Sequence, residues 1–308
     1  MRRRSSLARQ NPPPLPRSHE LTPASIAQVA ALLARATHVL ITAGAGMSVD
    51  AGFDYNSEEQ FVRRYPVMAR RGPRCRYHMF GYPWPSEAAQ WGHIARHLQE
   101  LRYSPPPDAT PYLNLRTLTN HADRFVLTSN ADDLFERSGF DAMKVWTRQG
   151  SYSRLQCLAA CDPSSTWLAE PWVQQAVQAV DLATEELKDP ALWPRCPRCK
   201  GEAMMNVRGG DWFIETPYEV QGERFATWLL AAQAGRLLVL DVGSGFNTPS
   251  VVRWPAEQIA ARHADADLVR VNRFRPEVPA QPKGRTLGLA CDGSVLWAAL
   301  ATAQAKRA

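Results

Sequence analysis

The stretch VLITAGAGMSVDAGF, Val39 to Phe53, constrains the fold more than any other part of the chain. A short apolar run ends at Ile41 and meets Gly44-Ala45-Gly46, followed by small residues. A strand entering a glycine turn and then a helix forms an anion cradle, because bare backbone N–H groups approach a phosphate closely there. The common dinucleotide fingerprint has a third glycine and an acid roughly 20 residues later. Here Val49 holds the third glycine's place and no strand-ending acid follows at that distance. A nucleotide is therefore expected, held in a variant manner.

The rest of the chain repeats the pattern. Ser25 to Ala36 reads as an amphipathic helix with Ile26, Val29, Leu32 and Leu33 on one face. RFVLTSNADDLF reads as strand, turn and helix, after a helix from Tyr112 to His121. KVWTRQGSYS is a short strand into a loop. RLLVLDVGSGFNTP is a buried strand with a glycine loop, after a helix ending at Leu229 to Gln233. DLVRVNRF is another strand, and a last helix is expected after CDGSV. Strands alternating with helices predict an α/β fold: a doubly wound, Rossmann-like parallel sheet binding its ligand at the strands' carboxyl ends. Residues 57–107 are aromatic and charged, lack strand alternation, and read as an inserted helical module that the Pro105-Pro106-Pro107 run closes.

Six cysteines occur, at 75, 157, 161, 196, 199 and 291. Cys157-x3-Cys161 and Cys196-x2-Cys199 have the spacing of a four-thiolate zinc site, each close pair giving two ligands from one turn. Two buried or redox-active pairs are the other reading of that spacing. Cys75 reads as a packing cysteine, and Cys291 as a core residue or a ligand neighbour. His78, His93 and His97 lack metal spacing and are expected to be solvated or to cap helices.

The expected organisation is a basic, Pro-rich disordered tail over 1–22 and a Rossmann-like domain from 23–56, 108–150 and 216–308. A smaller domain joins the helical insert 57–107 to a zinc-ribbon module over 151–215. The 308 residues, 45% of them hydrophobic, suffice for one large or two linked units. No apolar run is long enough for a membrane helix. The first 20 residues lack the apolar core of a secretory signal, and Pro12-Pro13-Pro14 opposes the amphipathic helix of an organelle transit peptide. A cytoplasmic protein with no membrane partner is expected. The net charge of +6 and the excess of arginine fit an anionic small-molecule partner or a skewed codon composition, and nucleic acid is not expected.

Taken in order, Gly44-Ala45-Gly46-Met47-Ser48, Thr128-Ser129-Asn130-Ala131-Asp132, Gln149-Gly150-Ser151, the four cysteines, Gly243-Ser244-Gly245, Val271-Asn272 and Cys291-Asp292 resemble the sirtuins, over residues 24 to 300. The resemblance implies an NAD-consuming enzyme. It implies NAD contacts from Ala43, Gly44, Ala45, Gly46, Ser48, Phe53, Ser129, Asn130, Asp132, Gly243, Ser244, Asn272, Cys291 and Asp292. It implies one structural zinc on Cys157, Cys161, Cys196 and Cys199. The departures are equally informative. Gln149 stands where sirtuins carry the general-base histidine. Gly52-Phe53-Asp54-Tyr55-Asn56-Ser57 replaces the arginine-containing G-I-P-D-F-R segment, and NVRGGDWFIE stands where the peptide-aligning V-F-F-G-E strand belongs. These features are similar to the macrodomain-linked branch of sirtuins.

That branch implies protein mono-ADP-ribosylation with Asn130, Asp132 and Gln149 as catalytic residues. The acceptor is then a protein, with a lipoyl carrier protein as one candidate and a macrodomain hydrolase as a companion. An NAD glycohydrolase, a residual NAD-dependent deacylase and a non-enzymatic NAD or ADP-ribose sensor are the alternatives.

Overall fold

The computed structural model describes residues 20–279 and 284–305. The tail expectation for residues 1–19 falls outside them. Residues 20–22 already belong to the fold: Leu21 packs on the core, and Thr22 caps the first helix. Helix α1 (Pro23–Arg35) opens with a reciprocal cap in which Ser25 N donates to Thr22 Oγ1 at 3.2 Å and Thr22 N donates to Ser25 Oγ at 2.8 Å. Such a box satisfies N–H groups that the first turn leaves free.

Strand β1 (His38–Ala43) is buried at every position after His38 and leads into the short helix α2 (Ala45–Asp50). Helices α3 (Glu58–Arg64), α4 (Pro66–Arg70) and α5 (Glu87–Leu98) form the insert, which ends in a π turn at Gln99–Tyr103. Then come α6 (Thr110–Leu118), β2 (Asp123–Thr128), α7 (Leu134–Arg137), β3 (Val145–Thr147) and β4 (Gly150–Cys157). Next are β5 (Thr166–Leu168), α8 (Glu170–Ala179), β6 (Ala203–Val207) and α9 (Thr216–Ala232). The chain closes with β7 (Leu237–Val242), α10 (Arg253–Arg262), β8 (Ala266–Val271), β9 (Thr286–Leu289) and α11 (Gly293–Ala305).

Six strands form one sheet in the order β3-β2-β1-β7-β8-β9, and every pairing is parallel. Their near-continuous apolar character follows from that, since a parallel sheet is covered on both faces. The chain builds outward from β1 to β3 on one side and from β7 to β9 on the other. The switch point therefore lies between β1 and β7, where a doubly wound sheet opens its ligand crevice. The expected α/β fold is thus present.

A second sheet, β5-β4-β6, is antiparallel and carries the cysteines. The stretch between the cysteine pairs holds both a strand, β5, and a helix, α8. The insert packs on this sheet's side through α5 and α8, where the Trp91 and Trp172 rings lie 5.3 Å apart, edge to face. Trp91, Ile94 and Leu98 of α5 share one continuous core with Ile41 of β1 and Leu155 of β4. The last helix starts at Gly293, inside CDGSV and earlier than expected. No described helix is long and apolar enough to cross a membrane.

Candidate functional site

The loops after β1 and β7 meet at the switch point in direct backbone contact. Gly44 N donates to the Val242 carbonyl at 2.9 Å, and Gly46 N donates to the Gly243 carbonyl at 3.2 Å. A Cβ on Gly46 would sit 2.5 Å from Gly243 Cα. Gly243 has φ +62, a left-handed conformation that glycine adopts without cost.

Two cavities open around this junction. One, of about 250 Å³, is lined by Gly44, Ala45, Ser48, Ser129, Asn130 and Gln149 among the expected residues. The other, of about 410 Å³, is lined by Gly46, Gly243, Asn272, Cys291 and Asp292 among them. Ala45, Tyr55, Tyr77, Gly245 and Asn247 border both, so the two form one groove across the carboxyl ends of the strands. Burial pushes Asp50, beside Cys291 in the second cavity, up to about 6.

Four expected contact residues do not line the groove. Ala43 ends β1 and is wholly buried, and Phe53 lies in the core. Ser244 is wholly buried, its hydroxyl donating to Asp241 at 2.6 Å. Its carbonyl accepts from Arg253 and from Asn272 Nδ2, both at 2.9 Å. Asn272 Oδ1 in turn accepts the backbone N–H of Phe274 and Arg275. Both ends of the Asn272 amide therefore tie protein loops together. Beneath them Arg270 pairs with Asp241, which also accepts the Thr42 hydroxyl at 3.0 Å. This buried network fixes the β7 loop from below.

Asp132 is the fourth. It lies behind the groove, accepting the Ser48 hydroxyl at 2.6 Å and Leu134 N at 3.1 Å. Asn130 is held in front of it: its Nδ2 donates to the Gly44 carbonyl at 3.1 Å, and its backbone N–H donates to Thr128 Oγ1 at 3.0 Å. The Asn–Asp loop and the glycine loop thus brace each other through Asn130–Gly44 and Ser48–Asp132.

Burial raises the Asp132 carboxyl to about 6. The folded value then stands above the ordinary one, near 3.9. Between about pH 4 and 6 the folded chain keeps a proton that the unfolded chain has lost, so this group's contribution to stability falls as pH rises through that window. Above it, a buried charge is carried at a cost. Asp132→Asn is expected to melt no lower than the parent at pH 7.5, with any advantage vanishing toward pH 4.5. Paired thermal melts across pH check the sign; an Asn variant that is less stable at pH 7.5 and matches the parent at pH 4.5 contradicts it.

Gln149 lines the cavity from the turn between β3 and β4, and its Oε1 is buried without a hydrogen-bond partner. Among the described residues no histidine and no carboxylate lines this cavity. His97 stands behind its wall, its ring 5.0 Å from Tyr152 and 6.4 Å from Tyr55. The two tyrosine hydroxyls are 3.1 Å apart. His93 and His97 are buried, contrary to the solvated role expected, because aromatic rings enclose both. His78 does accept a backbone N–H, from Arg74 at 3.1 Å.

Sequence reading missed Tyr55, Tyr77, Phe80, Tyr152 and Arg208, which also line the groove. Asn247 and Thr248 were findable, since they directly follow the glycine loop. The segment standing for V-F-F-G-E contributes Val207, the last residue of β6, and Arg208, after which the chain leaves the sheet.

The four cysteines converge away from the groove, all sulfurs within 4.8 Å of one another. Cys157 Sγ and Cys199 Sγ are 3.6 Å apart, and Cys161 Sγ and Cys196 Sγ 3.7 Å. A tetrahedral zinc with Zn–S of about 2.3 Å spaces its sulfurs by about 3.8 Å, so the donor set fits the ion. Four thiolates leave no open position, which makes the site structural. Cys199→Ser is expected to lose zinc and lower the melting temperature without selectively changing any chemical step. Elemental analysis and melting measure this; zinc-free purified protein or a Cys196–Cys199 disulfide contradicts it.

No protein-family model matches the chain. It is 36% identical over 271 residues to a probable bifunctional ADP-ribose hydrolase/ADP-ribosyltransferase of Fusarium oxysporum f. sp. cubense, an alignment covering 85% of this chain and 45% of that protein. The chain thus spans less than half of the fungal relative's length. It is 26% identical over 267 residues to a protein ADP-ribosyltransferase of Staphylococcus aureus strain Mu50, covering 84% of this chain and 81% of that one. Among solved structures, a Sir2 homologue in complex with NAD superposes with a TM-score of 0.59 at 14% identity, covering 95% of this chain and 98% of that one. At that identity the likeness concerns the fold.

Proposed function

This chain is sirtuin-like, and on that premise we propose that it is an NAD-dependent protein mono-ADP-ribosyltransferase. The names of both curated relatives support the activity. The observation that carries the reading is Gln149, whose buried Oε1 has no hydrogen-bond partner, in a cavity that no histidine or carboxylate among the described residues lines.

The assigned chemistry starts with NAD across the switch point, its phosphates against the glycine loops. The bond from the ribose C1′ to the nicotinamide nitrogen breaks, its electrons leaving with nicotinamide. Positive charge develops on the ribose, where the dipoles of Asn130 and Gln149 and the exclusion of water by the buried Tyr55 and Tyr152 stabilise it. Asp132 acts by fixing Ser48 and the loop that carries Asn130. The acceptor heteroatom then bonds to C1′. A carboxamide has no proton-accepting site at neutral pH, and general-base help is typically worth about 10²–10⁴-fold. Deacylation, whose later steps need such a base, therefore suffers most. Transfer to a nucleophile that arrives ionised suffers least.

The finer assignments belong to the same proposal. Residues 23–56, 108–150 and 216–308 hold NAD, and residues 57–107 with 151–215 form the smaller unit. The acceptor is a protein, a lipoyl carrier being the candidate, a macrodomain hydrolase reverses the modification, and the compartment is the cytoplasm.

Gln149→Ala tests the reading. Transfer is expected to fall about 10²-fold, the usual cost of losing one preorganised polar group, with NAD affinity nearly unchanged. Gln149→His is expected not to create efficient deacetylation, because the segment standing for V-F-F-G-E leaves the sheet after Val207, too early to align a peptide along the groove, and a base does not replace positioning. The measurement pairs calorimetry of NAD with mass spectrometry of an acetyl-lysine peptide. Brisk deacetylation by the parent overturns the proposal.

A further inference from the structure

A separate cavity of about 620 Å³ lies between the helical insert and β6, sharing only Phe80, Val207 and Arg208 with the NAD-groove lining. Its volume is in the range of small-molecule sites, about 300–1,000 Å³. Tyr82, Trp84, Met79 and Trp212 line it, together with His93 and His97. The Trp84 and His93 ring centres are 5.3 Å apart, and the His93 and His97 rings stack at 5.8 Å. Both histidines are 4% exposed, and neither Nδ1 of His93 nor either ring nitrogen of His97 has a hydrogen-bond partner. Buried polar atoms are nearly always paired, so two orphaned imidazoles in the wall of a roomy cavity point to a ligand that pairs them.

We propose that this cavity is a second ligand site, for a planar aromatic carboxylate. The rings and Met79 supply flat, polarisable walls that an aromatic ring fills in offset or edge-to-face contact. Arg76, 1% exposed and also lining the cavity, makes the local potential positive. Its charge is only partly engaged: Nη1 donates to Tyr65 at 3.1 Å, Nη2 lies 2.8 Å from Glu100, and Nε is free. Burial and Arg76 hold both imidazoles neutral, His93 at about 3, so each presents one N–H to an acceptor. A carboxylate accepts from those N–H groups and meets the arginine field; an aromatic amine meets repulsion.

The test uses 2-naphthoate with the full-length chain, read by tryptophan fluorescence and calorimetry, with and without saturating ADP-ribose. One saturable site per chain is expected, not displaced by ADP-ribose. The neutral analogue 2-naphthalenemethanol is expected to bind about tenfold or more weakly. His93→Phe and the half-buried Trp84→Ala are each expected to weaken naphthoate by a similar factor. Trp84→Ala keeps the test decisive should His93→Phe fail to fold. Displacement by ADP-ribose overturns the proposal, as does the absence of saturable binding at millimolar naphthoate. Equal affinity of parent and Trp84→Ala also overturns it. None of these readouts depends on the transferase reading, since naphthoate binding is scored without NAD turnover.

Discussion

Asn130→Ala is expected to lower NAD cleavage by about 10²–10³-fold, the range seen when one preorganised polar group is removed from where charge develops. The side chain has two duties. Its amide faces the groove beside Gln149, and its Nδ2 donates to the Gly44 carbonyl, joining the two loops that border the groove. Truncation removes the first and loosens the second. Because Asn130 sits at the rim of the sheet and not under it, the stability loss should stay near the worth of one hydrogen bond, about 1 kcal/mol. Nicotinamide release and thermal melting on the same preparation separate the two effects. Turnover at the parental rate removes Asn130 from the site. A variant that unfolds assigns it to holding the loops.

Gly46→Ala is expected to be more damaging to binding. The added Cβ would lie 2.5 Å from Gly243 Cα, backbone against backbone, so no side chain can swing aside. The loops after β1 and β7 must separate, breaking the Gly46–Gly243 hydrogen bond and widening the crevice that is to hold the phosphates. Overpacking of this kind costs about 1–3 kcal/mol of stability. NAD affinity should fall about 100-fold or more, since the crevice between the two loops loses the close backbone approach that shapes it. Gly245→Ala is the control for the fold: nothing lies within 4 Å of a Cβ there. If Gly46→Ala binds NAD like the parent, the glycine junction is not the phosphate site.

The large sheet was legible because buried parallel strands write themselves as short apolar runs, and the loops after them as glycine and small polar residues. Cysteine spacing announced the four-sulfur cluster in the same local way. What escaped reading depends on contacts across the chain. Asp241 and Arg270 are charged residues inside strands, and nothing local says that they neutralise each other under the Ser244 loop. Ser244, a polar residue in a glycine loop, reads as ligand-facing, yet its hydroxyl turns inward to Asp241. Asn272 reads as free to bind, yet both ends of its amide are committed to backbone. Tyr77 and Phe80 come from an insert without periodicity and Tyr55 from the turn just before it, and their convergence on the groove is a product of tertiary packing. His93 and His97 look soluble in a charged helix; only the rings of Tyr65, Trp84 and Tyr152 around them make them interior.

The central claim is that ADP-ribose leaves this site attached to protein. It is tested by incubating the chain with NAD labelled in the adenylate, together with a lysate of its source cells as the pool of acceptors. Released nicotinamide, acid-precipitable label and free ADP-ribose are counted in one time course. The account predicts label in protein that tracks nicotinamide release and vanishes with Asn130→Ala. Nicotinamide release matched only by free ADP-ribose contradicts it in favour of a glycohydrolase. NAD bound and returned unchanged contradicts it in favour of a sensor.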